Sequence, residues 1–178
     1  VTFENEYLKV VQERFKDVKK LGDRTISQLS KEDLHWSLND ECNSIAIIIQ
    51  HLSGNMRSRW TDFLTSDGEK PYRNRDGEFK NNIFSKQDLE IIWEQGWSIL
   101  FNTLSDLRGE DMLRIIQIRS EDHTVIDAIE RQMAHYAYHI GQMVYIGKQI
   151  KGKEWKTLSI TKGESVEYLQ YMQQKHKK

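Results

Sequence analysis

Residues 124–149, TVIDAIERQMAHYAYHIGQMVYIGKQ, place Ile126, Ile129, Met133, Tyr136, Ile140, Met143 and Val144 at three- and four-residue steps. That spacing lines one face of an α-helix, and the absence of proline from the stretch lets the helix run its full length. Beside the apolar stripe runs a second line through Ala128, Gln132, His135, His139, Gln142 and Ile146. A four-residue step returns to nearly the same face about 6 Å further along the axis, so His135 and His139 can converge on one ligand.

Working outward, three further long helices are expected. Phe3, Tyr7, Val10, Val11, Phe15, Val18 and Leu21 predict helix A over about residues 2 to 20, with Gly22 just past its end. Asn43 or Ser44 can cap helix B, whose apolar line runs from Ile45 through Ile48, Ile49, Leu52, Met56 and Trp60 to Phe63 and carries His51 at its edge. Ser85 caps helix C, with Asp88 in capping-box position and Gly109 beyond its end. Between helices B and C, the turn signals Ser66-Asp67-Gly68, Lys70-Pro71 and Asp76-Gly77 mark a long loop over 65–82. Thr25 to Leu38 reads as a connection with short helical turns. Leu113 to Arg119 reads as extended or as one arm of a brief hairpin, and Trp155 with a short final helix near 165–174 is expected to close the domain. The expected architecture is all-α, a four-helix bundle formed as a single domain over 1–178.

Composition narrows the function. Lys and Arg number 26 against 27 Asp and Glu, a net charge of −1, which gives no electrostatic case for nucleic acid or an anionic membrane. No apolar run approaches the roughly 20 residues needed to cross a bilayer, and the amphipathic opening Val1–Glu6 does not resemble a signal peptide. One cysteine, Cys42, rules out an internal disulfide and any multi-cysteine zinc motif. A cytoplasmic protein is expected. Cys42 itself is expected as a small buried filler rather than a reactive thiol.

His135 and His139, with His51 on another helix, can form a three-nitrogen site for a divalent metal. Zn or Ni leads, and Fe, Mn or Co also suits such ligands. Spacing alone leaves a second reading open, in which the two imidazoles on the last long helix sit at the core edge and are satisfied by Gln132, Gln142 or tyrosine hydroxyls. Three protein ligands leave a coordination position vacant, whereas structural zinc is normally closed by four. Gln132 and Gln142 can support the ligands, though solvated glutamines are the simpler reading. Arg57, Arg59, Arg73 and Arg75 can meet acidic groups of a ligand, but ion pairing with Asp67, Glu69, Asp76 and Glu78 is favoured. His35, His123 and His176 read as surface residues, and the five tryptophans chiefly as core.

The stretches Gln50–Trp60 (QHLSGNMRSRW), Asp67–Lys70 (DGEK), Arg73–Phe79 (RNRDGEF) and His135–Gln142 (HYAYHIGQ) together resemble the DinB/YfiT-like superfamily, and within it a bacterial branch of unknown function. The resemblance covers most of the chain. It implies an antiparallel four-helix bundle, often homodimeric, with a divalent metal held by one histidine of the second long helix and two of the last. Those positions correspond to His51, His135 and His139. Some members of the superfamily are thiol-dependent transferases that activate a small thiol such as bacillithiol at the metal, so the resemblance implies a transferase or hydrolase. The alternative is a non-catalytic metal- or ligand-binding dimeric bundle.

Overall fold

The computed structural model describes residues 2–80 and 82–177, and it is mostly helical, with one small antiparallel sheet. Among these residues, α1 (Phe3–Ile26), α3 (Ile45–Trp60), α5 (Lys86–Asp106) and α6 (Val125–Lys151) are long, while α2 (Lys31–His35) and α4 (Arg75–Glu78) are single turns within connections. Strands β1 (Ile115–Ile118) and β2 (Glu121–Thr124) precede α6, and α7 (Ser165–Lys175) ends the described chain. No helix among the described residues is long and apolar enough to cross a membrane.

The helix starts follow local chemistry. Ser44 accepts from the Ile47 N–H, Thr124 accepts from the Asp127 N–H, and Ser30 with Asp33 and Ser85 with Asp88 form complete capping boxes. Each supplies acceptors to N–H groups that the first helical turn leaves unpaired.

α3 is buried on most of its circumference: Ile45, Ala46, Ile48, Ile49, Leu52, Met56 and Trp60 are all essentially inaccessible. It packs along α5 and touches α6, while α1 packs along α6 and touches α5. Phe15 from α1 lies edge-on to Trp60 and Trp97 at 6.1 and 6.5 Å between ring centroids, with Tyr136 at 6.0 Å, so all four long helices meet in one aromatic cluster. Such pairs add to the area they bury.

Helix A differs from its expected boundary, because α1 continues through Gly22 to Ile26. A Cβ at Gly22 would come within 2.5 Å of Trp93 Cζ2, so this glycine provides a close approach to α5 rather than a helix stop. Helix C ends at Asp106, short of Gly109, and the helix expected over 124–149 is α6, capped by Thr124. The isoleucine-rich segment is one arm of a real hairpin, with Ile115 opposite Thr124 and Ile118 opposite Glu121. Its two-residue turn, Arg119-Ser120, has φ of 58° and 63°. Positive φ at both turn residues matches the twist of the paired strands. The final helix does not close the core: α7 has no buried residue, and Val166, Tyr168, Leu169 and Tyr171 are exposed. Cys42 is exposed rather than buried, and Trp36 is 41 % exposed, so neither fills the core.

Candidate metal centre

Two helices carry the three histidines, and a buried hydrogen-bond chain sets how those helices lie. The Trp60 indole N–H donates to the Tyr136 hydroxyl at 2.9 Å, and that hydroxyl donates to Asn55 Oδ1 at 2.9 Å. Trp60 and Asn55 belong to α3 and Tyr136 to α6, so the chain fixes the register between them. One position before Tyr136 and three after it, His135 and His139 face His51 across the interface.

The ring centroids of His51 and His135 are 5.3 Å apart, those of His51 and His139 5.0 Å, and those of His135 and His139 4.8 Å. One ring nitrogen from each lies within 4.8 Å of the other two. His51 and His139 are buried and His135 is half-buried. The expected trio therefore converges.

Their remaining nitrogens are held from outside. His51 Nδ1–H donates to Glu78 Oε2 at 2.9 Å, and His139 Nδ1–H donates to Gln142 Oε1 at 3.1 Å. Each bond leaves an Nε2 lone pair aimed inward, the arrangement that metal-ligating histidines commonly show. His51 Nε2 and His135 Nε2 are 3.2 Å apart, a separation served by one shared proton or by a common cation. Tetrahedral coordination at Zn–N distances of 2.0–2.1 Å sets adjacent nitrogens about 3.3 Å apart. His139 Nε2 is buried without a hydrogen-bond partner. An imidazole nitrogen left this way is costly unless it binds a cation or proton. The residues present thus fit a divalent metal.

Electrostatics favour the neutral ligand form. Burial, reinforced by repulsion from His139 and His51, pushes His135 down from 6.5 to about 3. Burial and the neighbouring His51 push His139 down to about 4, against the opposing hydrogen bond to Gln142.

Sequence reasoning placed Glu78 only among the ion-pair partners of the arginines, which it is to Arg73, and missed its contact with His51. Glu78 comes from the expected loop, where Asn74 caps α4 by accepting from the Gly77 N–H. Burial raises the Glu78 carboxyl, but hydrogen bonds from His51 and Arg73 and the Arg73 charge outweigh burial and hold it below the usual range. Arg73 grips it through two bonds, Nε to Oε1 at 2.8 Å and Nη2 to Oε2 at 3.0 Å. Opposite stands Gly54, where a Cβ would come within 2.7 Å of Glu78 Cδ. A glycine one turn after Gln50 and three residues after His51 was the available signal.

The expected ion pairs form in part. Arg59 pairs with Glu69, Arg73 with Glu69 and Glu78, whereas Arg57 lies over the Tyr72 ring and Arg75 over Phe79. Gln132 is buried, with Oε1 unpartnered, so it is not a solvated glutamine. His123 is likewise not a surface residue: its side chain is 11 % exposed and lies between Asp127 and Glu121. His35 Nε2 is 3.0 Å from the Phe84 carbonyl oxygen in a partly buried contact.

A cavity of about 400 Å³ opens over the three histidines, walled by residues including Asn55, Phe79, Gln132 and Tyr138. His51, His135 and His139 all line this cavity.

The sequence model of a family described as a protein of unknown function (DUF1572) matches residues 2–164, and the chain belongs to that family. The matched span includes every residue of the site and stops one residue short of α7. No curated protein matches the chain.

Proposed function

We propose that this chain is a DinB-like metalloprotein, a single-domain antiparallel four-helix bundle of α1, α3, α5 and α6 working in the cytoplasm. His51, His135 and His139 would hold one divalent ion, Zn or Ni first. The observation that carries the reading is the convergence of the three imidazoles, with two of them turned inward by partners on their outer nitrogens.

A divalent ion bound there supplies Lewis acidity, which lowers the pKa of a water or small thiol at the remaining coordination position. The chain's own residues perform the rest. Glu78 and Gln142 orient the rings, and the low proton affinity of His135 and His139 keeps them available as ligands at neutral pH. Tyr138, tilted against His139 at 4.1 Å between centroids, and Phe79, 4.9 Å from the His51 ring, form walls that restrict water. Such a site suits a thiol-dependent transferase or a hydrolase. No protein cysteine lines the cavity, so a thiol nucleophile would arrive as a small molecule.

A homodimer belongs to the same proposal. Supporting it, Trp36, Leu38, Tyr138 and Tyr145 expose apolar surface along one groove beside the site. Isolated apolar residues are ordinary, but a contiguous patch marks an association surface.

The test is elemental analysis of untagged protein, expected to give one divalent ion per chain and much less in His135→Ala. A folded chain that neither retains nor takes up stoichiometric metal overturns the reading. Assay of the loaded protein with small thiols and an electrophile panel separates transferase from hydrolase, and light scattering tests the dimer.

A further inference from the structure

The cavity over the three histidines is strongly one-signed. Arg59, Arg73, Arg75, Arg119 and Arg131 all line it, and no aspartate or glutamate does. This is a local concentration, because the whole chain carries a net charge of −1. Three carboxylates stand behind the wall. Glu69 takes Arg59, Arg73 and Arg119, Glu78 takes Arg73, and Asp67 accepts from the Arg119 and Ser120 backbone N–H groups, leaving five guanidiniums against three acidic groups.

The surplus is specific. Among the described residues, neither Arg75 nor Arg131 has a carboxylate within ion-pair distance. They come from different elements, Arg75 from α4 and Arg131 from the second turn of α6. Deeper in the wall, Arg73 Nη1 is buried without a hydrogen-bond partner, 3.7 Å from Glu69 Oε1. Gln132 Oε1, also buried and unpartnered on the same wall, is an acceptor and would meet a donor rather than an acidic oxygen.

We propose that this cavity binds a small organic dianion, with acidic oxygens met by Arg75 and Arg131. The inference rests on the reading of the cavity as a substrate site, and it names the substrate class. Guanidinium forks match carboxylate and phosphate oxygens equally well, so the shared chemistry is two negative charges on one small molecule. Low-dielectric walls focus the field of same-sign groups, so binding should weaken as salt rises.

Calorimetric titration of the intact protein with succinate, its monoamide and inorganic phosphate is the test, with and without chelator. Succinate should bind at least tenfold more tightly than the monoamide. Arg131→Gln and Arg75→Gln should each weaken succinate about tenfold or more, while Arg57→Gln, outside this cavity, should change nothing. Phosphate binding as tight as succinate assigns the ligand to phosphate esters, and weaker binding to dicarboxylates. Equal affinity for succinate and monoamide overturns the proposal, as does equal loss in Arg57→Gln. Metal content, measured on the same samples, keeps the two readings apart: full metal without dianion preference defeats this inference alone, and dianion binding by protein that takes up no metal defeats only the metal reading.

Discussion

Glu78 packs against Gly54 so closely that a single added methyl at position 54 would lie within 2.7 Å of the Glu78 carboxyl carbon. The glycine is therefore part of what lets the carboxylate reach His51.

Gly54→Ala should displace Glu78 and release the His51 ring. Partners at this remove from a metal commonly cost 10–100-fold in affinity when altered, so a loss of roughly tenfold or more is expected. Glu78→Gln should weaken binding in the same range. Competition with a chromophoric chelator measures both, and unchanged affinity in a folded Gly54→Ala protein would show that the contact is immaterial.

Tyr136→Phe removes the hydroxyl between the Trp60 N–H and Asn55 Oδ1. Both partners are buried, and leaving them unmatched should cost about 1–3 kcal/mol of stability. Urea unfolding at equal slope provides the measurement. A change within experimental error would mean that another contact sets the register of α3 on α6.

Acid should destabilise the metal-free protein earlier than carboxylate titration explains. His135 and His139 lie at about 3 and 4 in the folded chain, against 6.5 when unperturbed. Below pH 6.5 the unfolded chain takes up protons that the native state refuses, so stability falls as pH drops from 6.5 toward 4. Above 6.5 both states hold neutral rings and this contribution is flat. Urea midpoints at half-unit steps test it, with His135→Gln expected to shrink the slope between pH 6.5 and 5; an unaltered slope contradicts the assignment.

Two glycines should respond in opposite directions to alanine. At Gly22, the methyl meets Trp93 at 2.5 and 2.6 Å and Ile140 at 3.2 Å, and overpacking of this kind costs about 1–3 kcal/mol. At Gly141, nothing lies within 4 Å of the added methyl, and helix propensity favours alanine by about 1 kcal/mol. Thermal melts of Gly22→Ala and Gly141→Ala should move down and up respectively.

Legibility in the sequence tracked how local the signal is. Ser85 with Asp88 and Ser44 before Ile45 are caps written within four residues, and the structure has them. The histidine trio was reachable because His135 and His139 share a helical face and His51 stands in a family-like motif. Gly22 looked like a helix end because glycine breaks helices and permits close packing with the same letter. The contact of Glu78 with His51 escaped notice because turn signals show where a chain bends, not where it returns. The Arg119-Ser120 turn carries neither Gly nor Asn, so its positive φ was invisible. Arg131, one exposed charge among many, acquires meaning only beside the cavity.

The centre also has a folding order built into it. Glu78 lies 27 residues from His51, Arg119 lies 50 from Glu69, and His135 lies 84 from His51. The first two closures overlap along the chain, and the widest, which brings the imidazoles together, spans both. Long closures delay the contacts that depend on them. The shortest, Glu78 onto His51, can form while α6 is still undocked, so one ligand is aimed before its companions arrive. Metal capture would then report the last stage of folding, and its rate would follow the docking of α6 rather than the growth of any helix.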